Sequence, residues 1–220
     1  MTDAVIFIKE IWRGKDLYRI FMNLECRSRT LKGRVLDVGS GLNKASYHRF
    51  FRKADDAEVV ALDLGFGSAH GGSPIDLERD SLPHADHSAD MVLIFNVLEH
   101  IYNHTFLLSE IRKTLKTNGR VFGAVPFLVG YHPDPRDYRR YTSEALSKMF
   151  DEQGFHDIEI KVLGRGPMCA AYAQIEFMLP RIVKIMMLPC VFFLDKIIFM
   201  LKPHMSREKF ALGLFFSFSA

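Results

Sequence analysis

The segment that most constrains the fold is the apolar run Val35–Val38, which breaks into a Gly-Ser-Gly turn at residues 39–41. Glycine reaches positive φ angles without a side chain in the way, so two glycines directly after a strand let the backbone approach a bound molecule closely. A second apolar run at residues 59–62 ends in Asp63, where a carboxylate suits the two hydroxyls of a ribose. The pattern therefore predicts a site for a nucleoside cofactor.

Two nucleoside cofactors compete for this site. The dinucleotide fingerprint requires a third glycine three residues after the second, and Lys44 stands at that position. Asp37 lies two residues before the first glycine, where its charge would repel a pyrophosphate bound at a helix N-terminus. The same carboxylate suits the ammonium group in the methionine part of S-adenosylmethionine. Asp37 therefore favours S-adenosylmethionine over a nicotinamide dinucleotide.

The alternation of strand and helix patterns predicts a parallel sheet with right-handed crossovers. Apolar residues at helical spacing predict one or two helices within residues 4–24, with a break at Gly14. We expect Asn118-Gly119 to stop one later helix and Thr142 or Ser143 to cap the next. The remaining helices are predicted near residues 43–53, 104–117 and 142–153. The strands are predicted at residues 34–38, 58–62, 90–95, 120–126, 158–163 and 212–220.

The sequence Asp37-Val-Gly-Ser-Gly resembles the first motif of the class I S-adenosylmethionine-dependent methyltransferases. The resemblance covers roughly residues 31–163 and is closest to the small-molecule branch called the type 11 methyltransferases. The family's usual third glycine is absent, and Asn43 lies at or next to its place; asparagine also enters left-handed conformations. The further motifs that carry the resemblance are Ile75–Glu78, Leu82-Pro83, Asp86–Val92 and Phe95–Ile101.

This resemblance implies an α/β protein with a Rossmann-like, seven-stranded, mostly parallel sheet flanked by helices. The last strand would pair antiparallel beside the sixth, and a helical insertion would lie between strands six and seven. The expected divisions are a helical cap at 1–30, the cofactor-binding core at 31–163, the insertion at 164–210 and the last strand at 211–220.

The resemblance also implies a role for each matching residue of the cofactor site. Asp37 would lie near the methionine amino group, surrounded by the backbone of the glycine turn, and Asp63 would hold the ribose hydroxyls. Asp76 would meet the adenine amino group, while Asn96 and Val97 would line the floor under the sulfonium. For each acid the alternative is a helix cap or a turn former. The full expected set is Asp37, Gly39, Ser40, Gly41, Asp63, Leu64, Asp76, Leu77, Asn96 and Val97.

The loop at residues 126–142 follows a predicted strand, and ligands bind beyond the carboxyl ends of parallel strands. We therefore expect this loop to determine the substrate specificity. It packs three tyrosines, three arginines, two aspartates and a histidine into 12 residues, whereas a solvated turn uses more Ser, Gly and Asn. Similar loops occur in type 11 relatives associated with glycan and lipid-linked sugar modification. Arginines there could bind a phosphate or carboxylate. The expected substrate-binding residues are Tyr131, Arg136, Arg139, Arg140 and Tyr141.

Methyl transfer is an in-line displacement on an activated sulfonium, so positioning supplies much of the acceleration. A hydroxyl acceptor also benefits from a general base, which typically contributes ~10²–10⁴-fold. His132 is the candidate base, oriented by Asp134 or Asp137, and His100 is its rival. The alternative makes His132 a turn residue and the arginines partners of the aspartates. His100 and His104 lie four residues apart, but no third ligand is evident, so no metal is expected.

The insertion at 164–210 differs in composition from the rest of the chain. It holds a net charge of +4 within a protein of net charge +3, and six of the ten methionines. Charged residues and Pro189 interrupt its apolar run, so we do not expect it to span a bilayer. Basic helices rich in methionine and phenylalanine suit a membrane interface, here through residues 168–203. A partner groove, a homodimer face, a lipid-binding hollow and plain packing on the sheet edge remain alternatives.

Composition narrows the remaining functional classes. At 220 residues and 48% hydrophobic the chain can bury a sizeable core as one domain. Three cysteines without paired spacing indicate a reducing, cytoplasmic setting, with peripheral attachment to the inner membrane face as one alternative. The small net charge does not favour nucleic acid.

The expected function is O-methylation of a sugar, a lipid-linked glycan or another small amphipathic molecule. The alternatives are a catalytically silent cofactor-binding partner subunit and an RNA methyltransferase that uses the basic insertion.

Overall fold

A six-stranded sheet forms the centre of the structure, a computed structural model that describes residues 2–40, 45–62 and 75–220. Its strands lie in the order β4-β2-β5-β6-β8-β7, and every pair is parallel except the two made by β8. A short parallel pair, β1 with β3, lies apart from this sheet. The strands are β1 Thr30–Leu31, β2 Arg34–Val38, β3 Arg52–Lys53, β4 Glu58–Leu62, β5 Ala89–Phe95, β6 Leu115–Pro126, β7 His156–Leu163 and β8 Gly213–Ser219.

Helices cover both faces of the sheet and create two apolar clusters. One cluster joins the sheet to α3 and α4, and the other joins it to α1, α2, α5 and α6. The prediction of a mostly parallel α/β fold with a helical insertion is therefore confirmed. The helices are α1 Asp3–Trp12, α2 Leu17–Cys26, α3 His104–Thr114, α4 Ser143–Glu152, α5 Pro167–Ile175 and α6 Arg181–Leu201, with 3₁₀ turns at Ser46–Arg49, Leu98–His100, Glu176–Met178 and Arg207–Phe210.

The strands formed where the sequence shows continuous apolar runs. Strands covered on both faces read as unbroken hydrophobic segments, and four of the five residues of β2 are buried. The last strand β8 is buried along its whole length between β6 and β7 and is antiparallel to both, as expected. The main sheet has six strands in the described part of the chain, one fewer than the seven expected.

The predicted end of the third helix was wrong by three residues. Helix α3 ends at Thr114, and β6 begins at Leu115 where residues 115–117 had been assigned to the helix. Leu115 is buried and pairs with Ala89, so sheet pairing overrides the helical pattern there. Ala89 pairs with Leu115, and Met91 pairs with Arg120. The register therefore shifts between these two pairs, and β6 carries the extra residues. The expected helix stop at Asn118, which has φ 62°, therefore lies inside the strand.

The helix predicted at 43–53 is also absent from the described part of that range, residues 45–53. Tyr47 and Phe51 are both buried four residues apart, which is the spacing that suggested a helix. The backbone instead makes one 3₁₀ turn and then extends, because Arg52 and Lys53 pair with β1.

Helix boundaries elsewhere follow the expected signals. Gly14 adopts φ 78° between α1 and α2, and the Asp16 side chain accepts a hydrogen bond from Arg19 N to cap α2. Thr142 caps α4 in the same way through Ala145 N.

Two buried acids hold the insertion together and anchor it to the N-terminal helices. Asp195 of α6 accepts hydrogen bonds from Met168 N at 2.8 Å and Cys169 N at 3.0 Å, at the start of α5. Glu176 accepts one from Leu17 N at 2.8 Å, at the start of α2. Free N–H groups and the helix dipole favour a negative charge at these positions. Asp195 therefore joins α6 to α5 within the insertion, and Glu176 fixes the insertion to α2.

The Glu176 carboxyl generates a prediction about stability. Burial raises its pKa from 4.5 to about 7, so between these values the folded chain binds more protons than the unfolded chain. Its contribution is present below pH 4.5 and is lost as pH rises through 7, by up to about 3 kcal/mol. Replacement Glu176→Gln should remove this part of the pH dependence while keeping an acceptor for Leu17 N.

Urea unfolding at pH 4.5 and pH 7.5 measures the effect, with Glu152→Gln on the exposed end of α4 as the control. An unchanged pH dependence in Glu176→Gln would contradict the assignment.

Candidate active site

Parallel pairing brings the ends of β2, β4, β5 and β6 to one edge of the sheet. Val38 at the end of β2 pairs with Leu62 and Ile94, and Phe95 pairs with Ala124. The loops that follow these strands must therefore meet at this edge. Three predicted cofactor residues of these loops, Gly41, Asp63 and Leu64, lie outside the described residues.

Asp37 is fully buried at this edge and has two side-chain partners. Tyr47 Oη donates a hydrogen bond of 2.8 Å to Asp37 Oδ1, and His48 Nε2 lies 2.6 Å from Oδ2. Burial and the adjacent Asp37 charge raise the pKa of Tyr47, which keeps that phenol protonated as a donor. Gly39 follows with φ 76°, and its N–H donates to Leu62 O at 2.8 Å, so the turn depends on a glycine. Sequence analysis did not identify Tyr47 or His48.

The other predicted cofactor residues differ in their surroundings. Ser40 Oγ is buried and has no hydrogen-bond partner in the described part of the chain. Asn96 adopts φ 55°, and its side-chain oxygen accepts a hydrogen bond of 2.5 Å from Tyr18 Oη, while Val97 is buried. Asp76 is exposed, and its carboxylate accepts a hydrogen bond from Glu78 N, which is the turn-forming arrangement given above as the alternative.

A cluster of Glu99, His100 and His132 lies beyond β5 and β6. Glu99 is fully buried, and its Oε1 lies 3.7 Å from His100 Nε2 and 3.8 Å from His132 Nε2. The Glu99 carboxylate raises the pKa of the His132 imidazole, with the Gly130 carbonyl and Asp137 adding to it. The predicted rivals for the general base, His100 and His132, are thus neighbours on one carboxylate.

Asp137 and Asp134 occupy different environments. Asp137 is nearly buried and accepts a hydrogen bond of 3.0 Å from His132 N, and its Oδ2 lies 3.6 Å from His132 Nδ1. Arg140 donates to both Asp137 oxygens, which holds the pKa of that carboxyl far below its usual value. Asp134 is exposed and makes no described hydrogen bond or ion pair with His132. Only Asp137 is therefore placed to orient His132.

The predicted substrate-binding residues also separate. Arg140 forms an ion pair with Asp137. This is the alternative interpretation given above, in which the arginines are partners of the aspartates. Arg139 packs on the Tyr102 ring, 4.9 Å from its centroid, and contacts His104. Tyr141 is buried and donates to Leu98 O at 3.1 Å, so its hydroxyl does not face a substrate.

Tyr131 and Arg136 are the two exposed residues among the five predicted ones. Arg136 is exposed and donates to the Tyr138 hydroxyl, and Tyr131 is 77% exposed.

Sequence analysis did not select Glu99 or Tyr18 as site residues. Glu99 stands between the buried residues Leu98 and Ile101, and an acid inside such an apolar segment is the signal that could have identified it. Tyr18 of α2 is buried against Asn96, and burial together with the Glu99 charge raises its pKa. His104, which was considered with His100 as a metal pair and set aside, lies with Arg139 and Tyr141.

The comparisons with known proteins agree with this geometry. Residues 36–123, which contain β4, β5 and most of β2 and β6, match the family model for a methyltransferase domain. This match covers less than half of the chain and supports a class I S-adenosylmethionine-dependent methyltransferase. It also supports S-adenosylmethionine as the cofactor, as predicted. No curated protein matches this chain.

Three solved structures show how broadly the fold is used. The chain resembles an S-adenosylmethionine-dependent methyltransferase from Archaeoglobus fulgidus, with TM-score 0.54, 15% identity and 86% of each chain covered. It also resembles Haemonchus contortus phosphoethanolamine N-methyltransferase 2 in complex with S-adenosyl-L-methionine, with TM-score 0.58 and 16% identity, over 99% of this chain and 57% of that one. The [4+2]-cyclase SpnF gives TM-score 0.54 at 16% identity, over 92% and 80%. At these identities the likeness shows the fold, so the acceptor must be argued from the site.

Proposed function

We propose that the chain is an S-adenosylmethionine-dependent methyltransferase that transfers a methyl group to a hydroxyl of a small amphipathic molecule, such as a sugar or a lipid-linked glycan. The proposal rests on the imidazoles of His100 and His132, which lie beside the buried Glu99 carboxylate. They lie at the sheet edge where we expect the donor methyl group. His132 Nδ1 lies 2.8 Å from Gly130 O, so Nδ1 carries a proton and the neutral ring presents a basic Nε2. A hydroxyl acceptor needs such a proton acceptor, and Asp137 fixes the loop that presents it.

The donor would be held by the turn after β2. Asp37 would attract the ammonium group of S-adenosylmethionine, with Gly39 and Ser40 around the methionine part and Asn96 and Val97 beneath the sulfonium. The buried Ser40 hydroxyl without a described partner supports this placement, since a buried polar group gains a hydrogen bond when a ligand supplies one. Gly41, Asp63, Leu64, Asp76 and Leu77 complete the proposed set, and Tyr131 with Arg136 are the proposed substrate residues.

The outer face of α6 supports an amphipathic substrate at a membrane surface. Ile182, Met186, Phe193 and Met200 are each between 61% and 71% exposed and lie along one side of the helix. The two acids between residues 166 and 207, Glu176 and Asp195, are both buried.

The exposed charges around the α6 face are consequently Lys and Arg side chains, including Arg181, Lys196 and Lys202. An apolar stripe with basic flanks complements an anionic lipid surface. An apolar groove of about 320 Å³ between α1 and α6, lined by Phe7, Leu188 and Phe192 among others, could receive an acyl chain. No helix in the described ranges has both the length and the hydropathy to cross a bilayer.

The alternatives make different predictions about the same features. A silent partner subunit would bind the cofactor without turnover, and SpnF illustrates that this fold also supports other chemistry. An RNA methyltransferase would use the basic residues of α6 for phosphates, and its binding would weaken steeply with salt through counterion release. The exposed apolar stripe favours the lipid surface over RNA.

Replacement Asp37→Asn should weaken binding of S-adenosylhomocysteine about 10- to 100-fold, because a hydrogen bond to a charged group is lost. Isothermal calorimetry measures this, with Asp151→Asn on α4 as the control. Wild type should release no heat with a nicotinamide dinucleotide. Unchanged affinity in Asp37→Asn would leave Asp37 only its structural contacts with Tyr47 and His48.

Replacement His132→Gln should lower methyl transfer ~10²–10⁴-fold while leaving S-adenosylhomocysteine affinity unchanged. The assay measures S-adenosylhomocysteine formed with alkyl glycosides and glycosyl phosphates as acceptors. His104→Gln, in the same region but outside the cluster, serves as the control. Full activity in His132→Gln would refute its role. Cofactor binding without methylation of any acceptor by wild type would favour the silent subunit.

The double replacement Met186→Glu with Phe193→Glu should reduce binding to vesicles of phosphatidylcholine and phosphatidylglycerol by at least about 100-fold, because burial of two large apolar side chains is lost. Flotation measures the bound fraction. Ser109→Glu with Ser147→Glu adds the same charge to α3 and α4 and should bind like wild type. Equal binding by both double variants would contradict the membrane contact.

A further inference from the structure

Glu99 differs from the other buried acids described above, because neither of its oxygens accepts a hydrogen bond in the described part of the chain. A carboxylate buried in this way is costly unless a cation compensates its charge. The groups that lie close to Oε1 are His100 Nε2 at 3.7 Å and His132 Nε2 at 3.8 Å. Both separations are too long for a hydrogen bond.

The remaining ring nitrogens determine which atoms face the carboxylate. His100 Nδ1 lies 2.5 Å from Arg136 O, and His132 Nδ1 lies 2.8 Å from Gly130 O. A carbonyl oxygen only accepts, so each Nδ1 carries a proton and each neutral ring presents a lone pair at Nε2. With both rings neutral, two lone pairs and a carboxylate face one another, and a cation bound between them would relieve their repulsion.

We propose that Glu99, His100 and His132 bind one divalent transition-metal ion. Imidazole nitrogen and carboxylate oxygen bind zinc at about 2.0–2.2 Å, so two ligand atoms of one ion lie at most about 4.2 Å apart. Both measured separations fall inside this limit, and one ligand atom from each residue lies within 4.8 Å of the others. Hydrogen bonds from Nδ1 to a carbonyl are also the contacts that orient metal-binding histidines.

The arrangement leaves room for a further ligand. Three protein ligands typify a catalytic zinc site, where another position stays open. The side chain of His132 is 38% exposed and that of His100 12% exposed, so the open side of the cluster lies toward His132. One consequence rests on the proposed function: an acceptor hydroxyl bound to the ion would lose its proton to solvent water, and His132 would then act as a ligand in place of a base.

This inference departs from the sequence-based expectation that no metal binds. That expectation considered His100 with His104, which are four residues apart. The third ligand, His132, lies 32 residues after His100 and reaches it only through the loop after β6. The two rings are perpendicular, with centroids 5.3 Å apart.

The test titrates the full chain with ZnCl₂ after EDTA treatment and desalting. Calorimetry and elemental analysis should give one zinc per chain, and the melting temperature should rise with zinc. Loss of an orienting contact alone costs about 10- to 100-fold in metal affinity, so Glu99→Gln and His132→Gln should each lose more than that. His104→Gln should bind zinc like wild type.

Several outcomes would overturn the metal site. These are the absence of stoichiometric zinc on wild type, equal affinity in Glu99→Gln, or a zinc-induced rise in melting temperature that persists in that variant. An imidazolium of His132 paired with Glu99 is the competing arrangement and would give the first outcome. Heat of S-adenosylhomocysteine binding, measured on the same samples, separates the two proposals. Zinc binding without that heat would support the ion site and refute the proposed function.

Discussion

Parallel pairing of β2, β5 and β6 is the constraint on which the rest of the structure depends. Val38 pairs with Ile94, and Phe95 pairs with Ala124. The segments that follow these strands therefore lie next to one another. The glycine turn, the Asn96 corner and the loop that carries His132 therefore share one edge. Helices cover both faces of the sheet and exclude water from these strands. The polar groups at this edge therefore come from the loops that follow the strands.

Buried carboxylates organise the surroundings of that edge. Glu10 lies between Arg13 and Arg49, Asp37 holds Tyr47 and His48, and Asp195 and Glu176 satisfy the first N–H groups of α5 and α2. Each of these acids has partners that compensate the cost of burial. Glu99 accepts no hydrogen bond from the described residues, and it lies at the site where chemistry is proposed.

Sequence patterns predicted the sheet well because apolar runs such as Val35–Val38 become strands wherever both faces are covered. They failed where tertiary pairing competed with local periodicity. Leu115 joined the sheet although it continues a helical pattern, and residues 45–53 extended beside β1 although Tyr47 and Phe51 have helical spacing. Local spacing describes one element at a time, whereas pairing depends on a partner far along the chain.

The sequence by itself determined the fold class and favoured one donor over the other, because a strand, a glycine turn and an acid are contiguous and their chemistry is local. Only the tertiary structure decided that Asp137, and not Asp134, lies beside His132. It also decided that Arg140 forms an ion pair with Asp137, and that two histidines lie next to Glu99. It also decided that the apolar stripe of α6 points outward. Periodicity identifies an apolar helix face, but packing against the sheet determines which face is buried and which side chains from distant segments meet.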